Sequence, residues 1–183
     1  MAGTAHFSVS EQLRDGRSIC IRAIRPDDKA GLTKAFHALD PKSVYRRVFH
    51  MKKELTADEL RQLTEVDHVR DVALVATIGR GASELIVGGG RYMASGRSAE
   101  IAFTIEEDYQ QQGIARLLLQ HLVQIAREHG IAQFEAQVLA DNRAMLGVFE
   151  RSGLPMQAKR EQGVLHVTLQ ITGSGARGQY NEN

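Results

Sequence analysis

The chain has 183 residues and a formal net charge of +1, with 23 Lys and Arg against 22 Asp and Glu. This length supports one domain with a full hydrophobic core. The charge balance excludes the basic excess of a general nucleic-acid binder, the single cysteine excludes an internal disulfide, and no run nears the roughly 20 apolar residues that span a bilayer. With no basic-then-apolar leader at the N-terminus, a cytoplasmic protein is expected, with neither nucleic acid nor membrane as partner. Cys20 reads as a small core residue.

Residues 1–13 are polar and mixed and read as a flexible arm. SICIRAIR, residues 18–25, alternates apolar and polar and predicts a strand. Pro26 ends it, and Asp27 and Asp28 open a helix to about residue 39. Pro41 and Ser43 begin a second helical stretch. Thr56 and Glu59 have the spacing of a capping box for a third helix, to about residue 64. VALVATI, residues 72–78, is a buried-type strand. Residues 85–93 and 99–105 follow across glycine-containing turns, so the three predict an antiparallel meander. A long helix spans residues 113–129 and stops at Gly130. Residues 134–139 form another strand, and Asp141 caps a helix ending at Gly153. Residues 164–171 form a last strand, with 156–161 beside it. Residues 173–183, rich in Gly, Asn and Ser, read as a disordered tail. The element order gives an α+β domain around a mixed, mostly antiparallel sheet of six to seven strands flanked by helices.

The most informative stretch is AEIAFTIEEDYQQQGIARLLLQHLVQIAREHG, residues 99–130. Between Tyr109 and Arg127 there is no acid, although a helix N-terminus favours acids. Gln110, Gln111, Gln112, Gly113 and Arg116 stand there instead. That composition suits a helix start whose anion comes from a ligand. A P-loop would need Lys then Ser or Thr after the glycine, where Ile114 and Ala115 stand. A Rossmann fingerprint would need three glycines after the first strand. What remains is Gln-x-x-Gly-x-Ala, whose small residues let backbone amides approach a pyrophosphate. Taken alone, the pattern fits a polar turn before a core helix equally well.

In context, the segment resembles motif A of the GNAT superfamily, the Gcn5-related N-acetyltransferases. Asn142, followed by RAMLGVFERSGL, resembles motif B. IRAIRPDD, SVYRRVFH and LTEVDHVRDVALVA resemble the acetyltransferase domain of bacterial Pat-type protein lysine acetyltransferases. The resemblance implies a GNAT domain over 14–172 with acetyl-CoA as co-substrate and no metal. It further implies a splayed strand pair holding the pantetheine arm. Phe103, Thr104 and Ile105 would border that arm. Gln110, Gln111, Gln112, Gly113, Ile114, Ala115 and Arg116 would form the diphosphate loop, and Asn142 and Phe149 the far wall. Two departures stand out. Gln112 occupies a commonly basic position, leaving Arg116 to supply the charge. Phe149 occupies the place of a tyrosine that protonates the departing thiolate, so no general acid is assigned.

Acetyl transfer needs a neutral amine. With a lysine pKa of about 10.4, deprotonation at pH 7 costs roughly 4–5 kcal/mol, so a positioned base must assist. Alternation puts Glu100, Ala102 and Thr104 on one strand face. Glu100, between Ala99 and Ile101, is expected to be partly desolvated, which raises a carboxyl pKa. AEIxF also resembles the position of the glutamate base in protein-acetylating GNAT enzymes. Glu106, Glu107 and Asp108 read as a solvated turn or as an attractor for a cationic segment. The resemblance offers Tyr45 and Arg46 as substrate contacts, with packing roles equally open, and His68 as an acceptor-pocket residue, with a structural role favoured. The implied function is acetyl transfer to a protein lysine, for instance of acetyl-CoA synthetase. The alternatives are a small-amine acetyltransferase and a non-catalytic acyl-CoA-binding module. Monomer and dimer are both compatible.

Overall fold

The computed structural model describes residues 3–39 and 54–172. Its strands are β1 (Ser8–Gln12), β2 (Ser18–Ala23), β3 (Asp71–Ile78), β4 (Leu85–Ser95), β5 (Ser98–Ile105), β6 (Gln133–Leu139), β7 (Met156–Glu161) and β8 (Val164–Gln170). Its helices are α1 (Lys29–His37), α2 (Ala57–Thr64), α3 (Ile114–Glu128) and α4 (Arg143–Glu150). The expected helix around Tyr45 and Arg46 and the 173–183 tail lie outside the described residues.

The strands form one sheet in the order β1-β2-β3-β4-β5-β6-β8-β7. Neighbours are antiparallel except β5 and β6, which are parallel. The α+β class and the β3–β4–β5 meander are as expected, but the described residues form eight strands, not six or seven. The addition is β1, within the stretch expected to be a loose arm. It pairs with β2 from Ser8–Arg22 to Gln12–Ser18. Its alternation is real but built from polar residues: Val9 and Glu11 turn inward, and Ser8, Ser10 and Gln12 outward. The Glu11 carboxylate then accepts a 2.7 Å bond from Nε2 of His121 on α3. Cys20, expected in the core, is only half-buried, with Sγ 3.4 Å from the Ser8 hydroxyl.

Helix α3 is amphipathic at helical spacing. Ile114, Leu118, Leu122, Ile125 and Ala126 are buried, and they pack with Val72, Leu74, Ile101 and Phe134 of the sheet. Each large side chain buried there contributes roughly 1.5–3 kcal/mol. The helix can sit this close because β4 carries glycine beneath it. A Cβ at Gly90 would meet Phe103 at 2.8 Å and Leu122 at 3.0 Å. The opposite face has a smaller core of Ile24, Ala73, Val75 and Ile86 under α1.

Two caps set helix starts. Thr56 Oγ1 accepts from the Glu59 N–H at 3.2 Å, and the Glu59 carboxylate accepts from the Thr56 N–H at 2.8 Å. The capping box read from sequence is therefore formed. Thr56→Ala is expected to cost about 1 kcal/mol, read as a lower urea midpoint with unchanged slope. At α4 the cap is Asn142, not the expected Asp141: Asn142 Oδ1 accepts from the Met145 N–H at 3.3 Å. The N–H of Asn142 bonds back to Leu139 O at 2.9 Å, so the turn ends one residue later than the sequence suggested.

Candidate active site

Strands β5 and β6 pair over only three positions, from Ser98–Gln133 to Glu100–Glu135. Beyond Glu100 they diverge, although β5 continues to Ile105 on β4 and β6 continues to Leu139 on β8. The result is a cleft of about 1040 Å³ between the two strands. The Glu106 N–H bonds Val87 O at 3.0 Å. Peptide groups alternate sides along a strand, so the even-numbered residues of β5 face β4, and Phe103 and Ile105 face the cleft. Thr104 spends its backbone on β4, opposite Gly89, and borders the cleft with its side chain. From Glu100 to Ile105 the wall runs about 17 Å.

The cleft's wide end meets the start of α3. Gly113 precedes the helix at φ +93°, and no side chain caps it. Gln111 is also left-handed, at φ +62°, a conformation costing a non-glycine residue roughly 1–3 kcal/mol. Alternating left-handed residues turn successive N–H groups into one concavity, an anion-binding geometry. Among the described residues, the six consecutive N–H groups of residues 111–116 have no hydrogen-bond acceptor. The first helical bond is donated by Leu117, to Gly113 O at 3.1 Å. The positive end of a 15-residue helix and these amides point to one place. Gln110 Nε2 donates to Ile105 O at 3.1 Å, tying the loop to the end of β5.

Most residues singled out from the sequence converge here. Glu100, Phe103, Thr104, Ile105, Gln110, Gln111, Gly113, Ile114, Ala115, Arg116, Asn142 and Phe149 all line the cleft. Ile114 contributes only backbone, since its side chain is in the core. Phe149 is 1% exposed and its ring centre lies 6.2 Å from that of Phe103. Gln112 turns inward, and its Oε1 is buried without a hydrogen-bond partner. One expectation about Glu100 is corrected: its side chain is exposed, not partly desolvated. It projects from the sheet face opposite Ile101, away from α3, and among the described residues no hydrogen bond or ion pair holds it.

His68 does not reach the cleft. It sits at φ +58° in the loop before β3. Burial pushes its imidazole pKa below the ordinary value. The neighbouring Asp67 carboxylate accepts from the N–H groups of Asp71, Val69 and Arg70, and these bonds hold its pKa below the usual range. The acidic turn is not uniformly solvated either. Asp108 is exposed, but burial raises the pKa of Glu106, and both carboxylate oxygens of Glu107 are buried without a partner. Sequence reasoning missed Arg14, Arg143 and Arg151, which line the cleft with Arg116. The apolar spacing of motif B signals α4 but not which charges it turns to the cleft.

A sheet opened beside an uncapped, acid-free helix start offers a slot for an extended ligand that ends in an anion. A model described as an acetyltransferase (GNAT) domain matches residues 18–155, and the chain belongs to this family of acetyl-CoA-dependent acetyltransferases. An acetyltransferase of Pseudomonas aeruginosa, PA5475, is 34% identical over 137 residues, 74% of each chain. Acetyltransferase Pat of Mycolicibacterium smegmatis is 32% identical over 87% of this chain. This chain spans only 48% of that protein. The GNAT domain of Streptomyces lividans PAT superposes with a TM-score of 0.81 at 31% identity, over 89% of this chain and 96% of that one. No helix among the described residues is long and apolar enough to cross a membrane.

Proposed function

We propose that this chain transfers the acetyl group of acetyl-CoA to the ε-amine of a protein lysine, with Glu100 accepting the amine's proton. One observation carries the reading: the gap in the sheet begins at Glu100 and ends at the unpaired amides of residues 111–116. A coenzyme with a diphosphate on those amides lies along β5 as a substitute strand. Its arm meets the peptide groups of Phe103 and Ile105, and Asn142 and Phe149 wall the far side. The thioester then reaches the closed end of the cleft, beside Glu100. The neutral amine attacks the carbonyl carbon, the C–S bond breaks, and the thiolate departs. Among the described residues no tyrosine hydroxyl stands at that end. Tyr92 is buried with its hydroxyl 2.8 Å from His129 Nδ1, and Tyr109 lies at the wide end under the Arg17 guanidinium, 4.9 Å from ring centre. No general acid for the thiolate is assigned among them.

The lysine acceptor is supported by the likeness to Pat acetyltransferases and by the surface around Glu100. Met93, its register partner on β4, is 48% exposed and offers apolar contact to a lysine's methylene stem. The test combines calorimetry with acetyl-CoA and free CoA and mass spectrometry of a protein acceptor such as acetyl-CoA synthetase. Binding and new acetyl-lysines are expected. Turnover confined to polyamines or amino acids would overturn the lysine acceptor. Absence of binding heat with either coenzyme form would overturn the whole reading.

A further inference from the structure

We propose that Arg14, in the turn between β1 and β2, is a positioning residue for coenzyme binding. This rests on the proposed docking of the coenzyme diphosphate on residues 111–116. Arg14 makes two bonds to that loop. Its N–H donates to Gln112 O at 3.2 Å, and its Nη1 donates to Gln111 O at 3.0 Å. In a trans peptide the C=O and the following N–H point opposite ways. Drawing the carbonyls of Gln111 and Gln112 toward the β1–β2 turn therefore aims the N–H groups of Gln112 and Gly113 the other way, into the anion concavity. The guanidinium lies against the loop, with Nε 4.0 Å from where a Cβ on Gly113 would stand. It also offsets the cost of holding Gln111 left-handed, because Gln111 is the residue whose carbonyl it grips.

Among the described residues the Arg14 side chain bonds a carbonyl and no carboxylate. A cation behind two aligned peptide dipoles makes their N–H ends more attractive to an anion. The same turn grips the loop a second time, through Arg17 over the Tyr109 ring. The β1–β2 hairpin thus acts as a backing for the phosphate loop, and Arg14 is its contact with the two peptides that matter.

The experiment compares acetyl-CoA with S-acetylpantetheine, which carries the thioester but no phosphate, in wild type, Arg14→Ala and Arg14→Lys. For Arg14→Ala, KM for acetyl-CoA should rise about tenfold, the loss of one charge-assisted hydrogen bond, with kcat nearly unchanged. Its kcat/KM for S-acetylpantetheine should match wild type. Arg14→Lys, which keeps a cationic donor, should recover most of the affinity. An unchanged KM for acetyl-CoA in Arg14→Ala would overturn the role, as would an equal loss on both thioesters. If wild type itself handles S-acetylpantetheine as well as acetyl-CoA, the diphosphate docking fails instead, whatever Arg14 does.

Discussion

Replacing Glu100 by Gln is expected to lower kcat by about 10²–10⁴-fold, the usual worth of a positioned general base, while coenzyme affinity stays within about twofold. The substitution keeps size and one acceptor oxygen and removes the charge and the capacity to take a proton. Glu100 stands at the last paired position before β5 leaves β6, where the proposed reaction would bring acyl group and amine together. The deficit should shrink as pH rises. Near the lysine pKa of about 10.4 a large share of the amine is already neutral and needs no base. A pH profile of the variant and wild type to pH 9.5 reads this directly. An unchanged kcat at pH 7 would show that Glu100 is not the base.

The largest expected effect on stability lies on the same face of the sheet, at β2. Arg22 is 2% exposed. Its guanidinium bonds Asp28 at 2.9 and 2.8 Å and Glu84 at 2.6 Å. Burial alone would raise the Asp28 pKa, but the bonds from Arg22 and from the Arg25 N–H outweigh it and hold the carboxyl below its ordinary range. Hydrogen bonds from the same guanidinium lower Glu84. Arg22→Met leaves Asp28 buried and uncompensated, at a cost of about 3–5 kcal/mol. A fall in Tm of roughly 10 °C should be seen by calorimetry. Arg22→Met combined with Asp28→Leu should regain much of that, because an apolar pair needs no partner. Both carboxyls have depressed folded pKa values, so their contribution is complete above the unfolded values of about 4. It is lost as pH falls through the folded ones, and Arg22→Met should flatten that acid limb.

The parts of the fold that were legible share one property: their signal is local. The apolar run of VALVATI, the Thr56–Glu59 spacing and the acid-free start of α3 each announce themselves within a dozen residues. The uncapped start of α3 was legible for the same reason, since a helix start without acids is anomalous by itself. What escaped depends on distant partners. β1 hides its alternation in Val9 and Glu11, and only α3 gives Glu11 a reason to face inward, through His121. Arg14 sits 97 residues from the carbonyl it holds. The exposure of Glu100 follows from which sheet face α3 covers, which strand periodicity alone does not assign. The place of His68 depends on the loop closed by Asp67 through the N–H groups of Val69, Arg70 and Asp71.

A sheet interrupted in its middle has four rows of unsatisfied peptide groups where an ordinary one has two. The outer rows belong to a five-residue strand, β1, and to β7, which carries Lys159, Arg160 and Glu161, so both resist adding a foreign chain. The inner rows, on β5 and β6, look at each other across the slot between them. Whatever extended molecule fills that slot completes the sheet and fastens its two wings together. By mass action, occupancy and rigidity then become a single equilibrium.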